Sequence, residues 1–191
     1  MSISVLQLNK GAEKRLKQGH LWIYSNEIDV KANPLSSFTP GEQVCVKNHV
    51  GREMGTAFMS PSSLIAGRLI SRDPKQLMDQ SLLTHRFKIA LSLRELAFDK
   101  PYYRFVFGDS DMLPGLVIDR FGDVLVVQIS SAGMECLKAE ITAALEKVCH
   151  PKTILFKNNG KMRAPENLES YVQVELGEDV EEAELEENGV R

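Results

Sequence analysis

The sequence has 191 residues, 43% hydrophobic and 26% charged, enough for one moderate core or two small ones at the usual ~100 to 150 residues per domain. The net charge of −3 is unevenly spread: residues 1–164 carry 22 Lys/Arg against 16 Asp/Glu, whereas residues 165–191 carry one Arg against ten acids. No apolar stretch approaches the ~20 residues of a membrane-spanning helix, and the opening MSISVLQLNKG lacks the charged-then-apolar order of a signal peptide, so a soluble, cytoplasmic protein with no membrane partner is expected.

Residues 1–73 read as short strands around one early helix: strands at 4–8, 44–47, 55–59 and 64–71, and the helix at 11–18. Pro34, Pro40-Gly41, Gly51 and Pro61 punctuate them, as in a small β-barrel. Residues 48–51 look like a four-residue hairpin connection with Gly51 at the position that needs positive φ, and residues 39–42 make the preceding turn. Asp73-Pro74 marks the boundary, because proline disfavours the helical basin for the residue before it.

Residues 77–98 carry Leu83, Phe87, Ala90, Leu91 and Ala97 at three- and four-residue spacing, which predicts an amphipathic helix with Asp79 as its N-cap. Strands follow at 102–107, 116–119 and 124–129, the last two joined by a turn at 120–123. A helix at 135–148 and a strand at 153–157 complete an α+β domain over residues 74–180. The fold class expected is therefore α+β: a small β-barrel followed by a mainly antiparallel α+β domain. In 181–191, partial alternation of apolar and acidic residues leads into Glu187-Asn188-Gly189, a strong hairpin signal followed only by Val190 and Arg191. A turn without its returning strand predicts that the natural polypeptide continues and that this chain is a fragment.

Lys10, Lys14 and Lys17 share one face of the early helix, with Arg15 beside them and His20 and Trp22 just beyond. Two readings stand. Lysines meet phosphates as point charges while Trp22 and Tyr24 stack on an unpaired base; or the lysines are a solvated face with Trp22 packed into the barrel core, the expectation for Trp22 taken alone. Arg68 is a further, weaker candidate for RNA contact. The run Gly108-Asp109-Ser110-Asp111-Met112-Leu113-Pro114-Gly115, with Asp119 close by, concentrates acids without the spacing of a calcium loop, and Asp and Ser in such loops usually cap turns. Its rival reading is an acid/base site using Asp109 and Asp111.

Cys45, Cys136 and Cys149 are widely spaced, with no C-x-x-C pair, and are expected to be reduced, partly buried thiols. The histidines, His20, His49, His85 and His150, are scattered singly, so no metal site is predicted. Phosphate-binding loops, dinucleotide fingerprints, nucleophile elbows and zinc motifs are all missing. The short turns between strand runs also exclude a Rossmann-like parallel sheet.

Lys10-Gly11-Ala12-Glu13-Lys14-Arg15-Leu16, then Gly19-His20-Leu21-Trp22-Ile23-Tyr24-Ser25 with Ile28 after it, resemble the opening of the bacterial 23S rRNA large-subunit cytosine-C5 methyltransferase family. The run from Gly108 to Asp123, Ser130-Ser131-Ala132-Gly133 and Glu187-Asn188-Gly189 are similar to later parts of the same family. The sequence departs at Leu21, where the family usually has proline, and at Asn158-Asn159, where it has an acid-containing stretch. The resemblance implies a PUA domain over residues 1–73, a central α+β domain over 74–180, and residues 181–191 leading to a class I S-adenosylmethionine-dependent Rossmann domain absent from this chain. In such a parent, a cysteine thiolate attacks C6 of cytosine so that C5 takes the methyl group from the sulfonium; none of the three cysteines here has that role.

The chain alone is thus expected to be inactive, with no catalytic residue and no cofactor of its own, S-adenosylmethionine belonging to the parent. Its expected task is to position rRNA through Lys10, Lys14, Arg15, Lys17, His20 and Arg68. The alternative is a non-catalytic protein-interaction or dimerisation module, with a second copy as a candidate partner.

Overall fold

The computed structural model describes residues 3–178, which form two compact units. Among the described residues the first comprises 3–78, Ser131–Cys136 and Ala164–Leu168; the second comprises Asp79–Ser130, Leu137–Arg163 and 169–178.

The first unit contains β1 (Ser4–Gln7), α1 (Glu13–Lys17), β2 (Trp22–Ile23), β3 (Gln43–Lys47), β4 (Glu53–Met59) and β5 (Gly67–Ser71). Its five strands run in the order β1-β3-β4-β5-β2, with β1 parallel to β3 and the other neighbours antiparallel. Just beyond the two edge strands, Leu8 and Ile28 form a bridge, supported by Asn9 N to Glu27 O at 2.8 Å and Asp29 N to Gln7 O at 2.9 Å. These bonds join the edges, so the sheet closes on a core built from Leu6, Leu8, Leu16, Ile23, Val44, Val46, Ala57, Met59 and Leu69. Gly51 ends the β3–β4 connection with φ of +80°, the conformation that a side chain would strain.

Two expectations need correction in this unit. The helix expected over 11–18 is only Glu13–Lys17, because Gly11 and Gly19 take φ of +90° and +105° and break it at both ends. The strand expected from residue 64 begins at Gly67, and Leu64 is exposed in the preceding turn, where its carbonyl accepts from Ser25 N.

The second unit is built from α2 (Gln80–Ala97), β6 (Tyr102–Phe107), β7 (Leu116–Phe121), β8 (Val124–Ile129), α4 (Lys138–Cys149), β9 (Thr153–Asn158) and β10 (Tyr171–Leu176); the short α3 (Ala132–Glu135) belongs to the first. Its sheet order is β10-β9-β8-β7-β6, antiparallel except for the β8–β9 pair. Asp79 caps α2 by accepting from Leu82 N at 2.8 Å. Leu83, Phe87 and Ala90 on α2 are buried, and the Phe87 ring lies 5.8 Å from that of Phe105 on β6. Ile141, Ala144 and Leu145 are the buried face of α4.

The β7–β8 turn is the two residues Gly122-Asp123, not four, since Phe121 pairs directly with Val124. The helix expected over 135–148 is interrupted: α3 starts from Ser131, whose hydroxyl accepts from Met134 N, and α4 starts at Lys138. Neither β2 nor β10 was anticipated. Cys45 is buried and Cys149 partly so, as expected, but Cys136 is exposed. The hairpin expected over 181–191 lies outside the described residues. No helix among the described residues is long and apolar enough to cross a membrane.

Candidate nucleic-acid interface

The early basic cluster sits in the first unit, and its orientation follows from what the short helix must bury. Leu16 and Glu13 are buried, about one turn apart, while Lys14 and Lys17 are exposed. Lys10, in the turn before α1, and His20, after it, are exposed as well. Glu13 is 9% exposed; its carboxylate accepts from Gly11 N at 2.9 Å and lies 3.9 Å from His49. Backbone hydrogen bonds, chiefly that of its own amide, outweigh the partial burial and hold its carboxyl below the usual range. The acid thus serves the turn first, with Lys17 and His49 as weaker electrostatic partners.

Arg15 has a different job from the lysines. Its Nη1 lies 3.0 Å from Glu27 and its guanidinium 4.8 Å from the Tyr24 ring centroid, and the hydrogen bond to Glu27 raises its pKa. Glu27 in turn accepts from Tyr24 N at 2.8 Å. Arg15 therefore clamps the segment after β2 onto α1.

Trp22 corrects the core-packing expectation. On a strand alternate side chains face opposite sides, and Ile23 is the buried one, so Trp22 projects outward with 38% of its surface exposed. It meets Tyr24 edge-on at 6.5 Å. Arg72, missed in the sequence, donates to the Leu16 carbonyl at 2.6 Å, adding positive charge at the end of α1. Arg68 is not on this surface in any usable sense: its side chain is 11% exposed and its Nη2 lies 3.1 Å from the buried Glu166 carboxylate. Lys10, Lys14, Lys17, His20 and Trp22 are exposed, Trp22 and Tyr24 touch edge-on, and Arg15 and Arg68 are engaged in internal contacts.

Residues 6–72 match the family of PUA-like domains. Over more of its length the chain is similar to the ribosomal RNA large subunit methyltransferase I of Cronobacter sakazakii (34% identity, 86% of this chain and 41% of the relative) and that of Erwinia tasmaniensis (35%, 91% and 44%). It spans less than half the length of these curated relatives. The fold is shared with "a putative sam-dependent methyltransferase from Streptococcus mutans" (TM-score 0.75, 22% identity, 93% of this chain and 44% of that one). A second solved chain of the same kind, complexed with SAH, matches equally (TM-score 0.75, 22% identity, 94% and 44%).

Outside the PUA-like domain, Asp111 of the acid-rich loop and the nearby Asp119 make structural contacts. Asp111 accepts from Arg94 at 2.7 and 3.1 Å and from Phe107 N at 2.6 Å, and its side chain is 8% exposed. Met112 follows with φ of +57°, and its carbonyl accepts from Arg86, whose pKa burial lowers to about 10. Asp119 pairs with Arg104 at 2.9 Å. Arginines and backbone amides thus hold Asp111 and Asp119 as pins.

S-adenosylmethionine does not fit the described residues. Of the two parallel strand pairs among the described residues, β8 and β9 are joined through α3 and α4, and the only glycine in that connection is Gly133, where a Cβ would lie 2.1 Å from Cγ of Phe58. That glycine makes room for a phenyl ring, not for a cofactor. No group of three His, Cys, Asp or Glu side chains among the described residues could hold a metal ion.

Proposed function

We propose that the chain is the RNA-binding, non-catalytic part of an S-adenosylmethionine-dependent rRNA (cytosine-C5) methyltransferase, with a barrel over residues 1–73 and a central domain over 74–180 that position rRNA for a catalytic domain elsewhere in the parent. The observation that carries this reading is that Lys10, Lys14, Lys17, His20 and Trp22 are all exposed within one short stretch of the PUA-like domain. Lysines there reach phosphates and fix register, while Trp22, steadied by Tyr24, offers a flat surface to an unpaired base. The named activity of the similar curated proteins supports rRNA as the partner.

The test is salt-dependent binding of the chain to a structured rRNA fragment. Each lysine–phosphate contact contributes ~0.7 to ~0.9 to the slope of log affinity against log salt, so Lys14→Glu/Lys17→Glu should lower that slope by roughly 1.5. Affinity at low salt should fall more than about tenfold. Absence of rRNA binding, or a charge-reversed variant that binds as before, refutes the reading. A second reading, a protein-interaction or dimerisation module, draws on the exposed Ile89, Leu93 and Leu96 along one side of α2. Association through such an apolar stripe would be largely indifferent to salt, so the same titration separates the two.

A further inference from the structure

At the carboxyl ends of the parallel strands β8 and β9, a cleft of about 180 Å³ opens in the second unit, lined by Val117, Ser130, Lys157, Asn158, Met162 and Arg163 among others. We propose that this cleft is a binding site for a single unpaired nucleobase. The proposal rests on the RNA-binding reading for the source of the base, but on different residues from those of the PUA-like face.

Asn158 carries the inference. It is 1% exposed, and its Oδ1 accepts from Ile129 N at 2.7 Å, which fixes the amide's orientation. Its Nδ2 is therefore the remaining end, and among the described residues it meets no hydrogen-bond acceptor. A buried donor left in this state is an exception that calls for a function. The complementary group must be an acceptor that enters without bringing a full charge into a buried place, which favours a base carbonyl or ring nitrogen over a phosphate.

The rest of the lining agrees. Arg163 is 3% exposed and held by the carbonyls of Ile129 at 2.7 Å and Glu169 at 2.8 Å, with the Tyr171 ring 5.1 Å away, so it forms a fixed positive wall. Among the described residues no carboxylate lines the cleft, and an acceptor-rich ligand is what such a wall prefers. Val117 and Met162 supply apolar surface for a ring, while the exposed Lys157 stands where a phosphodiester would leave the cleft. The volume is below the ~300 Å³ of sites for drug-sized ligands and suits one ring system. Crevices outside the carboxyl ends of parallel strands are habitual ligand sites because the strand ends and following loops converge there.

The experiment follows the Asn158 side-chain amide of the ¹⁵N-labelled chain by NMR, its signal assigned by loss in Asn158→Asp. The probes are the 5′-monophosphates of cytidine, uridine, adenosine and guanosine, with ribose 5-phosphate and inorganic phosphate as the base-free arms. At least one nucleotide should shift the Asn158 signal, and the base-free probes should not. Lys157→Glu/Met162→Glu changes only exposed side chains and should weaken nucleotide binding at least tenfold with the rest of the spectrum unchanged, which keeps the test sound if Asn158→Asp misfolds. Silence at Asn158 up to about 10 mM nucleotide, where dissociation constants become too weak to matter, overturns the proposal; so does an equal response to ribose 5-phosphate. An rRNA fragment that perturbs Lys14 and Lys17 but not Asn158 overturns this site and leaves the RNA reading intact. Nucleotides that move Asn158 while no rRNA binds anywhere do the reverse.

Discussion

Replacing Glu166 by alanine tests whether Arg68 belongs to the architecture or to the RNA surface. Glu166 is 5% exposed; its carboxylate accepts from Arg68 Nη2 at 3.1 Å, from Ala132 N at 3.3 Å and from the Ser60 hydroxyl. Without it a guanidinium whose side chain is only 11% exposed is stranded, and its Nε already meets no acceptor among the described residues. Breaking one side of a buried pair in this way costs about 3 to 5 kcal/mol. With a urea dependence of about 2 kcal/mol per molar, the unfolding midpoint should drop by roughly 2 M. Trp22 is the sole tryptophan and pairs across β2–β5 with Arg68 itself, so its fluorescence reports unfolding at the perturbed place. Arg68→Met/Glu166→Met removes both charges and should regain roughly 1 to 3 kcal/mol relative to Glu166→Ala. A loss below about 1 kcal/mol in the single variant, or a double variant no better than it, refutes the buried-pair account.

Gly133→Ala should destabilise by at least ~1 to 3 kcal/mol, because the new Cβ would overlap the ring of Phe58, itself 1% exposed; a smaller residue at 58 should restore part of the loss in the same urea titration, and an unshifted midpoint would contradict the packing. The thiols should alkylate in the order of their exposure, Cys136 first. Burial pushes the Cys149 thiol up to about 11 from an ordinary 9.0, so at pH 8 it should react about 100-fold more slowly than an unperturbed cysteine. Because only the thiolate reacts, its rate should rise about tenfold per pH unit until pH approaches 11. Peptide mass spectrometry after timed iodoacetamide treatment reads both effects, and a Cys149 modified as fast as Cys136 at pH 8 would count against them.

Elements with a strong period were legible. Apolar spacing and the Asp79 cap located α2 to within a few residues, and the alternations of β6 and β8 fell where they were expected. What escaped depended on partners distant in sequence. β2 is two residues long and exists because Trp22 and Ile23 pair with Arg68 and Gly67, a contact no local pattern announces. The outward turn of Trp22 is fixed by Ile23 facing inward, so residue type alone misplaced it. In β10, Gln173 and Glu175 break the apolar run and read as part of an acidic tail, although Val172 and Val174 pair with Lys157 and Leu155 of β9. Within the basic cluster, type and spacing found the lysines. They could not show that Arg15 is engaged by Glu27 and Tyr24, or that Arg68 is claimed by an acid 98 residues away.

The first unit draws on Ser131–Cys136 and Ala164–Leu168 as well as its own first 78 residues. On a translating ribosome this imposes a delay. Leu168 follows Met78 by 90 residues, which at ~5 to 20 residues per second takes roughly 5 to 18 s. For the first 55 residues of that interval the barrel strands exist without Gly133 beside Phe58, and for nearly all of it without Glu166 beside Arg68. The part made first is completed only after much of the second unit has been made, so a nascent chain must keep an incomplete barrel from misassociating in the meantime.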